Sequence, residues 1–165
     1  MQAIATPDGL FRLNRETLRC ALGRGGVRAD KREGDGATPV GDLPLRRVLY
    51  RADRVAAPSC RVPVEPLSPG DGWCDDPAHP DYNRPVRLPH PARHERMWRE
   101  DALYDIVGVL GWNDAPVERG RGSAIFLHLA RPDYGPTEGC VALAEADLRA
   151  VLAAGLSRVL VTPGL

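Results

Sequence analysis

Apolar and polar positions alternate along much of this chain at the two-residue period of a strand, and only one stretch keeps helical spacing. Residues 9–13 and 17–22 alternate on either side of Asn14-Arg15-Glu16 and predict a hairpin. Residues 43–50 predict the next strand. In residues 60–67, Arg and Pro alternate with Val62 and Val64, which predicts an edge strand, where proline is tolerated. Residues 103–110 form the clearest buried strand, residues 124–127 and 141–143 are two further apolar runs, and residues 158–162 close the series. Helical spacing occurs in residues 144–154, where Ala144, Leu148, Val151 and Leu152 share a face and Gly155 provides a C-cap. Residues 94–99 predict a short helical turn with Met97 and Trp98 inward. The pattern is that of a mostly β fold with one or two short helices.

Three stretches break the alternation. Residues 23–38 are glycine-rich and charged, and without the Lys-Ser/Thr ending of a phosphate-binding loop they read as a solvated connection. Residues 68–91 are rich in Pro, Asp and Gly, and uninterrupted loops of more than about 15 residues are uncommon unless they carry function. Trp73, Cys74, Tyr82 and Asn83 within it predict an ordered capping loop, either a lid or wall of a cleft or an elaborate surface feature. Residues 111–122 form a polar, Gly-bounded loop before the next strand.

Candidate chemistry lies where the apolar run of residues 124–127 ends at His128, a Pro- and Gly-containing loop follows, and Gly139-Cys140 opens the next run. Two neighbouring strands joined this way bring an imidazole and a thiol together, the minimal equipment for covalent acyl transfer. The same residue types also serve as an inert buried thiol and a hydrogen-bonded structural histidine. Gly139 favours the first reading, because it leaves room beside the sulfur. Backbone N–H groups of Gly139 and Cys140 are the expected oxyanion donors.

This segment resembles the signature of the L,D-transpeptidase (YkuD-type) catalytic domain, with His128 upstream and Thr137-Glu138-Gly139-Cys140 at its end. Gly34-Asp35-Gly36-Ala37-Thr38-Pro39-Val40-Gly41 is similar to a Thr-Pro-x-Gly turn of that family, and the likeness spans residues 20–148. Three positions depart from the family pattern: Leu129 stands where Gly is usual, Glu138 where His is frequent, and Ala142 where Arg is common. The resemblance implies a divergent branch, a β-sandwich or barrel-like sheet, and one catalytic domain over residues 1–165. It implies Cys140 as nucleophile and His128 as base, with peptidoglycan stem peptides as partners and carbapenems as inhibitors. The cross-link formed would be 3-3 or an unusual one such as 1-3. Hydrolysis of the same bonds, or peptidoglycan binding without catalysis, are the alternatives. With Ala142 in place of the guanidinium, Arg131, Arg84 and Arg121 are candidates for a substrate carboxylate. Thr137, Tyr134, Asn83, Tyr82 and Trp73 complete the expected substrate-binding set.

Composition narrows the picture. The 165 residues carry 22 Lys+Arg against 22 Asp+Glu, so no basic surplus points to nucleic acid. Aromatics make up only 5%, which leaves packing to aliphatic side chains. No apolar run is long enough for a membrane span, and the opening residues lack the basic and apolar segments of a secretory signal. The family's chemistry nonetheless implies a periplasmic or cell-wall location. Cys20, Cys60 and Cys74 allow at most one disulfide if Cys140 is the nucleophile. His79, His90 and His94, with Cys74 and Asp75-Asp76, make a metal set on paper, but Pro91 interrupts any helix and no HExxH pattern is present. No metal or cofactor is therefore expected.

Overall fold

Period-two alternation resolves into one large sheet in the computed structural model, which describes residues 1–164. The strands run β1 (Gln2–Thr6), β2 (Leu10–Leu13), β3 (Glu16–Arg19), β4 (Val27–Arg28), β5 (Thr38–Pro39), β6 (Gly41–Tyr50) and β7 (Val64–Pro66). They continue with β8 (Asp71–Cys74), β9 (Pro85–Arg87), β10 (His94–Arg96), β11 (Ile106–Leu110), β12 (Phe126–Leu129) and β13 (Val141–Leu143). Helix α1 (Glu145–Ala153) and strand β14 (Arg158–Val161) close the chain. The large sheet has the order β13-β12-β11-β6-β14-β1-β2-β3, with β7 added beside β6.

The ten residues of β6 hold this sheet together. Its first half pairs with β14 and its second half with β11, where the register shifts between Val109 and Leu110. Such irregularities bend a strand and raise its twist. The bend brings the two ends of the sheet towards each other. Beyond β3, Ala21 bridges to Ala142 of β13 through a pair of 2.9 Å hydrogen bonds, and Gly23 bridges to Thr137. The sheet is thus a nearly closed barrel, which removes most of the free edge that open sheets must protect.

Inside it lies an aliphatic core. Alternate residues of β1, β2, β6, β12, β13 and β14 point inward, and α1 covers one end with Leu148, Val151 and Leu152. A smaller apolar cluster sits on the other face of β11 and β12 and contains Trp73, Met97, Tyr104, Phe126 and Cys140.

Several sequence expectations change here. Residues 94–99 are not helical: His94–Arg96 is a strand paired with β8, because main-chain pairing with Cys74 and Trp73 overrides the local pattern. The buried strand expected from residue 103 starts at Ile106, and Leu103 and Tyr104 form the turn before it. Residues 68–91 are not one loop. They contribute β8 and β9, which join β10 in a second sheet of order β10-β8-β9. Residues 23–38 are not simply solvated, since Ala37 and Thr38 are fully buried and Lys31, the chain's only lysine, is 6% exposed. Strand β1 was not visible as a strand in the apolar pattern. Its parallel pairing with β14 supplies the structure that its five residues do not announce. Among the described residues, no helix is long and apolar enough to cross a membrane.

Candidate active site

Strand alternation puts Phe126 and His128 on one face of β12, and Leu127 and Leu129 on the other. The parallel register sets His128 opposite Ala142 and Leu127 opposite Val141, so Cys140 and Ala142 share the face of His128. Cys140 and His128 are therefore diagonal neighbours on paired strands. Both line a cleft of about 570 Å³.

Gly139 makes the approach to Cys140. Its φ is +132°, and a Cβ there would stand 2.7 Å from the Ala37 carbonyl oxygen, a separation no side chain can adopt. Thr137 holds the turn: its hydroxyl donates to the Cys140 carbonyl at 2.7 Å and accepts the Gly139 N–H at 3.1 Å. One of the two expected oxyanion donors is thus engaged within the turn.

Cys140 is 7% exposed, and its sulfur sits between two backbone groups. It accepts the Phe126 N–H and donates to the Ala124 carbonyl, each at 3.3 Å. Ala124 has φ +54°, a left-handed conformation unusual for alanine, which indicates that surrounding contacts fix it. Asn83 is the principal one. Its Oδ1 accepts the Ala124 N–H at 3.1 Å and the Trp73 Nε1–H at 3.0 Å, while its Nδ2 donates to the carbonyls of Trp112 and Asn113. All four hydrogen-bonding positions of this buried amide are filled.

His128 is 5% exposed, and its Nδ1 donates to the Leu129 carbonyl at 2.9 Å. That bond fixes the tautomer and leaves Nε2 as the basic nitrogen. The Tyr104 ring meets the imidazole edge-on at 5.2 Å, and the Tyr104 hydroxyl donates to the partly buried Glu95. Burial pushes the His128 pKa down from 6.5 to about 4; the Leu129 bond opposes this and Arg99 adds to it. Burial pushes the Cys140 thiol up to about 12, and Glu95 raises it further while the Phe126 N–H lowers it. Burial also raises the Glu95 carboxyl, against the Tyr104 bond. At neutral pH the free protein therefore holds a neutral thiol beside a neutral imidazole.

Around this pair the cleft wall is charged. Arg24, Lys31 and Glu33 come from residues 23–38, Arg93 from the connection before β10, Glu95 from β10, and Arg99 and Arg131 from the loops next to β11 and β12. The expected substrate residues do not stay together. Arg131 and Thr137 line the cleft. Tyr134 lies under the Arg19 guanidinium, 4.4 Å from it. Trp73, Tyr82 and Asn83 are buried behind the wall, where Tyr82 bonds Glu33 and Trp73 packs edge-on against Phe126 at 5.1 Å. Arg84 borders a different groove beside Trp112, and Arg121 stands over the Trp112 ring.

Sequence reasoning passed over Glu95, Arg99 and Tyr104. Only the signal of two charged residues flanking an aromatic-containing segment was present, and it carries no spacing rule. All four cysteines are unpaired. His79, Asp81 and His90 have come together on the connections of the small sheet, whereas His94, Cys74, Asp75 and Asp76 of the set expected from sequence are not part of that group. A family model described as YkuD, L,D-transpeptidase catalytic domain, matches residues 5–160. No curated protein matches the chain.

Proposed function

Because the chain belongs to the YkuD family of L,D-transpeptidase catalytic domains, which act on peptidoglycan, we propose that it is a cysteine acyltransferase working on peptidoglycan stem peptides. The observation that carries this reading is the shared face of Cys140 and His128 at the floor of one cleft. A bound donor peptide places its carbonyl over the sulfur. His128 Nε2 takes the thiol proton as sulfur attacks carbon, and the oxyanion forms against the Cys140 N–H, since the Gly139 N–H is engaged with Thr137. Collapse breaks the C–N bond. The leaving amine takes the proton from His128, and a thioester remains. An acceptor amine then attacks the thioester, gives its proton to His128, and the thiol is restored.

The resting neutrality of the pair has a mechanistic meaning. Proton transfer from sulfur to imidazole accompanies attack on a bound substrate, and does not precede it. Water excluded by the peptide leaves His128 Nε2 as the available base.

Ala142 gives the floor a small side chain directly opposite His128 in register. Charge for a substrate carboxylate comes instead from Arg131 and Arg99. The cross-link is 3-3 or, with the altered pocket, an unusual one such as 1-3. The site of action is the periplasm or cell wall, where peptidoglycan lies, and a carbapenem would acylate the same sulfur. Incubation with muropeptide monomers, followed by mass spectrometry, tests the proposal. Dimers formed by the wild type and absent with Cys140→Ala support transfer. Shortened monomers without dimers identify a hydrolase, and unchanged monomers leave a binding module.

A further inference from the structure

Three of the four histidines in this chain gather on one patch of the small sheet, away from His128. The topology explains how. Strand β8 ends at Cys74, and the 75–84 connection with His79 and Asp81 starts there. Strand β9 runs antiparallel to β8, so the chain leaving it at Arg87 is at the opposite end of the sheet. The 88–93 connection must return along the sheet to begin β10 at His94, opposite Cys74. That return carries His90 back to the first connection.

The resulting geometry suits a metal ion. Asp81 Oδ2 is 3.1 Å from His90 Nε2 and 3.7 Å from His79 Nδ1, and one ligand atom from each of the three residues lies within 4.8 Å of the other two. Tetrahedral zinc with ligands at its usual bond lengths holds them about 3.4 Å apart. The two imidazole rings meet edge-on, 4.9 Å between centres. His94 stands next to the group, its ring 6.3 Å from that of His90.

We propose that His79, Asp81 and His90 form a binding site for a divalent transition metal of the zinc class, which clasps the two connections of the small sheet together. Two imidazoles and one carboxylate favour zinc or cobalt over calcium or magnesium, which prefer oxygen ligands alone. The ion replaces the His90–Asp81 hydrogen bond and the 3.1 Å bond that His79 Nδ1 accepts from the Asp81 N–H. The Ala92 N–H, 3.3 Å from His90 Nδ1, gives way to the proton that nitrogen carries when Nε2 binds metal, and water fills the fourth position. The site is separate from the sulfur chemistry, but the next residues along the chain, Arg93 to Glu95, line the cleft. Fixing the connection before them fixes that wall.

The test uses the full chain in a Cys140→Ala background, so that zinc cannot be held by that thiol. Isothermal titration with Zn2+ is expected to show one ion per chain, and a thermal melt to rise with added Zn2+. His90→Ala and the near-isosteric Asp81→Asn are expected to weaken binding by about 100-fold or more, above the loss from removing even an outer partner of a metal ligand. Circular dichroism checks that both variants are folded. Co2+ bound by nitrogen and oxygen ligands gives visible d–d bands without a thiolate charge-transfer band. Absence of Zn2+ binding, equal binding by the variants, or a thiolate band with Co2+ would each overturn the site.

Discussion

The two apolar clusters of this molecule are built in different ways. The larger one, inside the barrel, is aliphatic and comes from alternating residues that adjacent strands contribute in register. The smaller one, beneath the cleft, draws Leu49, Leu67, Trp73, Met97, Tyr104, Phe126 and Cys140 from segments far apart in the chain. Polar groups border it: the buried Asn83 and His128, and the partly buried Glu95, which accepts a hydrogen bond from Tyr104. The first cluster makes the fold, and the second presents a thiol. The lesson lies in their shared wall, because β12 faces both clusters with alternate side chains. A strand that anchors the barrel through Leu127 and Leu129 holds Phe126 and His128 rigidly on its other face.

The comparison breaks first at the reacting groups. Cys140→Ala is expected to lower transfer by roughly 10^4-fold or more, with a melting temperature close to the wild type, because one sulfur leaves a partly polar pocket. His128→Ala should cost about 10^3-fold by removing the base. Steady-state rates on muropeptides and thermal melts check both. An equal loss of stability and activity in Cys140→Ala would mean that the second cluster also makes the fold.

Asn83 is the next largest effect. Asn83→Ala strands the Trp73 indole N–H, the Ala124 N–H and two carbonyls, at a cost of about 2–4 kcal/mol in chemical denaturation. Activity should fall with it even below the melting temperature, since Ala124 no longer holds its carbonyl against the sulfur. An Asn83→Ala protein with full activity would separate the small sheet from the active site.

Acid sharpens the difference in charge. The His128 pKa falls from 6.5 unfolded to about 4 folded, so between those values the unfolded chain binds the extra proton and the native state loses stability as pH drops. Above pH 6.5 this contribution is fully present, and by about pH 4 it has declined by about 3 kcal/mol. His128→Gln should flatten that part of the stability profile in urea titrations. The same slope in wild type and variant would contradict a buried neutral imidazole.

The smallest effects concern the arginines. Arg131→Ala is expected to raise KM by about tenfold with little change in kcat, as loss of one charge-assisted bond would. Arg84→Ala, on a different groove, should leave both constants near wild type. Equal effects of the two variants would remove the cleft-wall assignment.

The candidate segment carrying His128 and Cys140 was legible in the chain because two apolar runs, a glycine and a short loop determine their own geometry. The alternation of β6, the apolar runs of β11, β12 and β14, and the spacing of α1 are local properties of the residues, so these elements could be read directly. Glu95 and Tyr104 could not be found that way. Glu95 reaches the cleft through β10 pairing with β8, a contact that overrode the helical turn expected from residues 94–99, and Tyr104 through the turn that leads into β11. Residues 68–91 failed as a loop because β8 and β9 within them pair with each other, and β8 pairs with β10 just beyond them, which turns short polar segments into a sheet.

Sequence by itself determined the mostly β class and brought out Cys140 and His128 as the candidate pair, because side-chain alternation and glycine's freedom act within a few residues. Tertiary structure alone decided that the sulfur is buried and neutral, that Asn83 braces Ala124, and that Arg99 and Arg131 share a cleft. Burial and charge at one point are sums over every segment that packs there, and no local pattern contains that sum.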